Sequence, residues 1–144
     1  MVSVFLYVVP TTHVQQYWHL AEKHLKKAID KGHGEFDLNQ LKLLVAQGHQ
    51  QLLLSMEKDK CFNAATVQWI MYPNDRVAYV TYAGGTKLKE TFDQFKIWVK
   101  NNGGTSVQCS TGYKSLERLF ERLNYKPKYR LMELKLWCTI TFQN

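Results

Sequence analysis

The sequence has little cysteine, little proline and no long apolar run, and each shortage excludes something. The three cysteines, Cys61, Cys109 and Cys138, are odd in number and form no CxxC pair. That pattern argues against a disulfide framework or a zinc site and for reduced, buried thiols. The five histidines, at 13, 19, 24, 33 and 49, include no i, i+4 pair that would set two ligands on one helical face, so no metal site is expected. Apolar residues make up 45% of the chain, yet no run approaches the roughly 20 residues that span a bilayer, and no membrane partner is expected. The opening MVSVFLYVVP lacks a basic leader and a small-residue cleavage pattern, and reads as a buried strand rather than a signal peptide. A cytoplasmic location follows as an expectation.

Acids are also few. Twelve Asp and Glu against nineteen Lys and Arg leave a formal charge of +7, which suits nucleic acid, an acidic protein surface or a cofactor phosphate. No helix-turn-helix, RNP or zinc pattern singles out nucleic acid. The basic residues are dispersed from Lys23 to Arg130, as on a solvated surface. At 144 residues the chain has the length of one domain, with no linker or repeat to divide it, and residues 1–144 are expected to form a single unit.

What is present is a regular alternation of elements. Residues 2–9 read as a strand stopped by Pro10, and Thr11 or Thr12 can cap the helix that follows. In that helix Val14, Tyr17, Trp18, Ala21, Leu25 and Ala28 recur at three- and four-residue steps. Asp37 is placed to cap a second helix through Val45. Gln50–Met56 and Phe62–Tyr72 read as strands, and Pro73-Asn74-Asp75 turns the chain into a third strand, Arg76–Tyr82. Ala83-Gly84-Gly85-Thr86 reads as a turn into a helix striped by Leu88, Phe92, Phe95 and Val99. Thr105–Cys109 is a short strand, and Leu116, Leu119, Phe120 and Leu123 line a last helix before Pro127. Tyr129–Phe142 alternates as a final strand or a bent pair. The order β-α-α-β-β-β-α-β-α-β predicts an α/β fold of the α+β kind: a mixed, mostly antiparallel central sheet flanked by helices, with a right-handed parallel crossover late in the chain.

This order, with two local patterns, resembles the GNAT acetyltransferase fold over nearly the whole chain. The hexapeptide Thr81-Tyr82-Ala83-Gly84-Gly85-Thr86 matches the family's pyrophosphate loop, (Gln/Arg)-x-x-Gly-x-(Gly/Ala), at Gly84, with Thr81 and Thr86 departing from it. Ser115–Pro127 is similar to the family's late helix, with Leu119, Glu121, Arg122, Leu123, Tyr125 and Pro127 in register. There Phe120 replaces the tyrosine that protonates the departing thiolate, and Asn124 replaces a glycine. The resemblance implies acetyl-CoA as cofactor, bound at Gly84, Gly85, Thr86 and Lys87, with Lys89 one turn on, and leaves Tyr113 or Tyr125 to supply the missing hydroxyl.

No general base is evident. Glu57, Asp59 and Asp75 fall in turns, His49 at the start of a strand, and Cys109 at the end of one. The hairpin Tyr72-Pro73-Asn74-Asp75-Arg76-Val77 with the Gly-Gly turn also resembles a degenerate GNAT-like group of tailed bacteriophages. That resemblance implies a non-catalytic, virion-associated protein that binds other proteins in the host cytoplasm or the particle, with Trp18, Trp69, Trp98 and Trp137 as potential anchors. The alternative is an acetyl-CoA-dependent N-acetyltransferase acting on a protein or a small amine.

Overall fold

The computed structural model describes residues 3–32, 34–111 and 113–136. It divides into two compact units, Met1–Ser110 and Thr111–Asn144, each taken by itself below.

The first unit is built on a five-stranded sheet in sequential order, β1 (Phe5–Val9), β2 (Gln51–Glu57), β3 (Lys60–Tyr72), β4 (Asp75–Gly85) and β5 (Ser106–Cys109). The first four strands pair antiparallel and β5 joins β4 in parallel, so the sheet is mixed as the sequence predicts. Helices α1 (Val14–Asp30) and α2 (Leu38–Ala46) connect β1 to β2, while α3 (Leu88–Asn101) makes the crossover from β4 to β5.

Each face of the sheet has its own core. One gathers Trp18, Ala21, Leu25, Leu41, Val45, Leu52, Leu54 and Ala64, with Tyr7 and Tyr82 at its margin. The other packs Leu53, Val67, Ala78 and Val99 with Leu6, Val8, Trp69, Phe95 and Trp98. Burying one leucine such as Leu25 or Leu52, both 0% exposed, contributes about 2 kcal/mol, so these two layers are the main source of stability.

Local signals explain most boundaries. Asp37 caps α2 in a reciprocal box: its carboxylate accepts from the Gln40 amide at 2.8 Å and the Gln40 side chain accepts from the Asp37 amide at 2.9 Å. The threonine cap expected for α1 is absent. Thr11–His13 form one 3-10 turn, in which the His13 amide donates to Pro10 at 2.8 Å, and α1 begins at Val14 without a side-chain cap. The bounds of β1, β2, β3 and β5 move by one to three residues, and β4 gains one residue at its start and three at its end. It does not end at Tyr82 but continues through the Gly-Gly pair to Gly85, with Ala64 opposite Gly84 and Asn63 opposite Gly85.

Within β4 the register slips by one residue. Thr66 faces Tyr82 and Val67 faces Val80, which leaves Thr81 as a β-bulge. The bulge reverses the alternation along the strand: Ala78 and Val80 point to the α3 face, whereas Tyr82 and Gly84 meet the α1 face.

The second unit holds α4 (Lys114–Arg122), with Tyr113 at its N-cap and Asn124 at positive φ just beyond its end. The strand expected over Tyr129–Phe142 is not seen in its described part. Residues 129–136 form no strand, and Leu131, Met132, Leu134 and Leu136 are exposed. Alternation is permissive for a strand, but a strand also needs a paired neighbour, and among the described residues these have none. Residues 137–142 lie outside the described residues. No described helix is long and apolar enough to cross a membrane.

Candidate functional site

The sheet is continuous except between β4 and β5. Their ladder runs over four pairs, Val77 with Ser106 to Val80 with Cys109, and stops. β4 then continues five residues further to Gly85, and along that stretch no described strand pairs with it on the β5 side. Divergence begins at the Thr81 bulge, where local twist increases and the backbone bends away from a flat ladder. Unpaired strand backbone offers amide donors and carbonyl acceptors to whatever lies in such a gap.

A polar cluster holds the bulge in place. The Thr81 hydroxyl lies 2.6 Å from that of Thr66 and donates to Gln50 Oε1 at 2.5 Å. Gln50 and Thr66 are 4% and 0% exposed, so this is a buried network joining β4 to β3 and to the residue before β2. At the other margin of the gap, the Tyr79 hydroxyl is 2.5 Å from Ser110 Oγ, one residue past the last paired position of β5. Cys109 is partly buried, and desolvation pushes its thiol up to about 11. It is therefore a protonated thiol at neutral pH and a poor nucleophile.

Beyond Gly85 only Thr86 and Lys87 separate β4 from α3. Lys87 is left-handed, φ 58°, and no side chain caps the helix, so the first-turn amides of α3 and its dipole are offered outward. Lys87 Nζ sits 4.2 Å from the centroid of the Phe62 ring, and Lys60 Nζ lies 5.0 Å from the same centroid. One aromatic ring thus gathers two ammonium groups beside an uncapped helix N-terminus. That donor set suits a phosphate-bearing ligand.

The structure gives the two glycines a packing role. A Cβ on Gly84 would stand 2.2 Å from the His24 carbonyl oxygen of α1. One on Gly85, where φ is +116°, would stand 2.3 Å from the Phe62 carbonyl oxygen. The Thr86 amide donates to that same Phe62 oxygen at 2.8 Å. Protein backbone therefore already occupies the space each side chain would fill, and the phosphate donors that remain open are Lys60, Lys87, Lys89 and the first turn of α3. Lys60 and Phe62 are not legible as site residues in the sequence, since a lysine in a charged hairpin gives no sign of the ring it will rest on. The bulge and its Gln50–Thr81–Thr66 cluster also carry no sequence signature.

The other expected residues are dispersed. Glu57 and Asp59 line a groove of about 590 Å³ with His19, Lys23 and Lys60, between α1 and the β2–β3 turn. Asp75 accepts from Ser106 Oγ at 2.9 Å and from the Thr105 hydroxyl, tying the start of β4 to β5. His49 is exposed after α2. Tyr113 and Tyr125 both belong to the second unit, where the Tyr125 ring lies 5.3 Å from that of Phe120. Trp18 is buried, and Trp69 and Trp98 pack against each other at 5.6 Å, so these three serve the core. Among the described residues no group of three or more His, Cys, Asp or Glu is placed to hold a metal ion.

A mixed five-stranded sheet that parts between its fourth and fifth strands, with helices on both faces, is the fold of the GNAT acetyltransferases. No family model and no curated protein matches the sequence. Solved structures do. The aminoglycoside N-acetyltransferase AAC(6')-Iy in complex with CoA aligns with a TM-score of 0.68 at 14% identity, covering 96% of this chain and 97% of that one. A ribosomal-protein-alanine N-acetyltransferase from Brucella melitensis biovar Abortus 2308 aligns at 0.68 and 9% identity, covering 93% and 99%. A predicted acetyltransferase with acetyl-CoA from Clostridium acetobutylicum aligns at 0.61 and 10%, covering 92% and 96%. At these identities the likeness establishes the fold.

Proposed function

We propose that this chain is an acetyl-CoA-dependent N-acetyltransferase. The observation that carries the reading is the parting of β4 from β5 at the Thr81 bulge, in line with an uncapped helix N-terminus flanked by Lys60 and Lys87. The departures of the sequence from the family pattern favour a non-catalytic, virion-type component. The fold neighbours, acetyltransferases among them with CoA or acetyl-CoA bound, support the transferase instead.

In this reading the pyrophosphate of acetyl-CoA takes the first-turn amides of α3 with Lys60, Lys87 and Lys89, while Gly84, Gly85 and Thr86 shape the strand that leads there. The unpaired backbone of β4 orients the thioester, whose activated acyl group is what the bound ligand supplies. The Tyr79 phenol, held against Ser110 at 2.5 Å where the two strands part, is the hydroxyl on hand to protonate the departing thiolate, the role that Phe120 cannot fill.

Titration calorimetry tests the reading. Acetyl-CoA binds, and acetyl-pantetheine, which lacks the pyrophosphate, binds at least roughly tenfold more weakly, as the loss of one or two charge-assisted hydrogen bonds requires. No heat with millimolar acetyl-CoA rejects it.

A further inference from the structure

β1 is an outer strand of the sheet, paired with β2 on one side and with no described strand on the other. An edge of this kind carries unpaired amides and carbonyls that template a further strand, and proteins guard it with a lysine, a proline or an inward charge. β1 has none of these. Residues 2–9, VSVFLYVV, hold no charge and no proline, and a short uncharged run of high β-propensity is the composition that pairs with copies of itself.

The protection comes instead from a residue distant in sequence. Gln94, in the second turn of α3, lays its side-chain amide along the outer edge of β1. The Leu6 amide donates to Gln94 Oε1 at 2.7 Å, and Gln94 Nε2 donates to the Val4 carbonyl at 3.1 Å. An added strand would use this same amide and carbonyl. One side chain therefore holds the two backbone groups at which further pairing would start.

We propose that Gln94 closes the edge of β1 against the β1 strand of a second copy, which would otherwise add antiparallel across a two-fold axis. A copy of the same strand is the occupant because β1 is uncharged along its length, so two copies meet without like charges opposed, and a two-fold axis sets identical surfaces against each other. Phe5, 46% exposed at the start of β1, supplies apolar surface for that contact to cover. Both chains must release Leu6 and Val4 from Gln94 before they pair, so four hydrogen bonds oppose it. The inference is independent of the transferase reading.

Sedimentation velocity of the full chain and of Gln94→Ala, each over a range of concentrations, tests it. Alanine is the best helix former, so α3 is kept while both backbone groups of β1 are freed. Gln94→Ala self-associates with a Kd at least about 100-fold below that of the unaltered chain, as the loss of four opposing bonds implies. The Leu6 amide, unprotected in the dilute variant, gains protection from hydrogen exchange as the concentration rises. Adding Phe5→Lys, which sets a charge on the edge strand, returns the variant to the sedimentation of the unaltered chain. Gln94→Asn, whose amide falls one methylene short of β1, self-associates in the same way and decides the matter if Gln94→Ala does not fold. Sedimentation equal to that of the unaltered chain at every concentration overturns the proposal. So does self-association that leaves the Leu6 amide unprotected or persists unchanged with Phe5→Lys.

Discussion

Replacing Gly84 by alanine separates the two roles a glycine can play at this point of the fold. Gly84 has no left-handed backbone to lose, so the cost is steric. The added Cβ meets the His24 carbonyl oxygen at 2.2 Å and the His24 carbonyl carbon at 3.1 Å. An ordinary carbon–oxygen contact is about 1 Å longer, and the obstacle is helix backbone, which cannot rotate aside as a side chain does. α1 must therefore lift from β4, loosening the packing of Leu25, Ala21 and Tyr82. Overpacking of this kind costs about 1–3 kcal/mol, and a rigid neighbour places Gly84→Ala at about 3 kcal/mol. With a urea m-value of about 1–3 kcal/mol per molar, the unfolding midpoint falls by about 1.5 M. The assay is urea unfolding followed by tryptophan fluorescence, paired with acetyl-CoA titration of the folded variant. A midpoint that stays put while acetyl-CoA binding disappears would refute the packing account and return Gly84 to the phosphate.

Three further outcomes are expected. Tyr79→Phe lowers kcat for acetyl transfer by about 10²-fold with acetyl-CoA affinity unchanged, as loss of a general acid predicts; an unaltered kcat, measured by thiol release, excludes Tyr79 as the donor. The double variant Lys60→Ala/Lys87→Ala raises the Kd for acetyl-CoA about three- to tenfold, a modest effect because both ammoniums are exposed; equal affinity in calorimetry would detach the Phe62 cluster from the ligand. Burial raises the Cys109 thiol from 9.0 to about 11. The unfolded chain therefore loses this proton first, and stability falls as pH rises from 9 towards 11. Cys109→Ala removes that part of the slope in unfolding midpoints measured across this range, and an unchanged slope would contradict the shift.

Much of the fold was legible because most elements obey one period throughout. Trp18, Ala21 and Leu25 mark the inner side of α1, Val67 and Trp69 one face of β3, and Asp37 announces a helix start that the structure reproduces. The failures share a cause, which is contact with something distant in sequence. Gly84-Gly85 looks like a turn because glycine usually bends the chain; here it continues a strand, since α1 and β3 press against it and leave no room for side chains. Thr11 and Thr12 have capping chemistry, but they lie inside the 3-10 turn that precedes α1. The site was less legible still. Phosphate binding was read from Gly84 to Lys87, while Lys60 enters through a ring it shares with Lys87, and Gln50 through a bulge that no residue type signals.

The Thr81 bulge fixes the length of β4 more tightly than its composition. Even-numbered residues face α3 up to Val80 and α1 from Tyr82 onward, so each side of the strand is counted from the bulge. Deleting Thr81 itself would leave Tyr82 directly after Val80, still opposite Thr66 and on the α1 side, whereas deleting Tyr82 or Ala83 would carry Thr86 into the place of Gly85, where a Cβ meets the Phe62 carbonyl oxygen. Descendants of this chain can vary the side chains of β4 and can lose the bulge residue, but not a single residue between Tyr82 and Gly85.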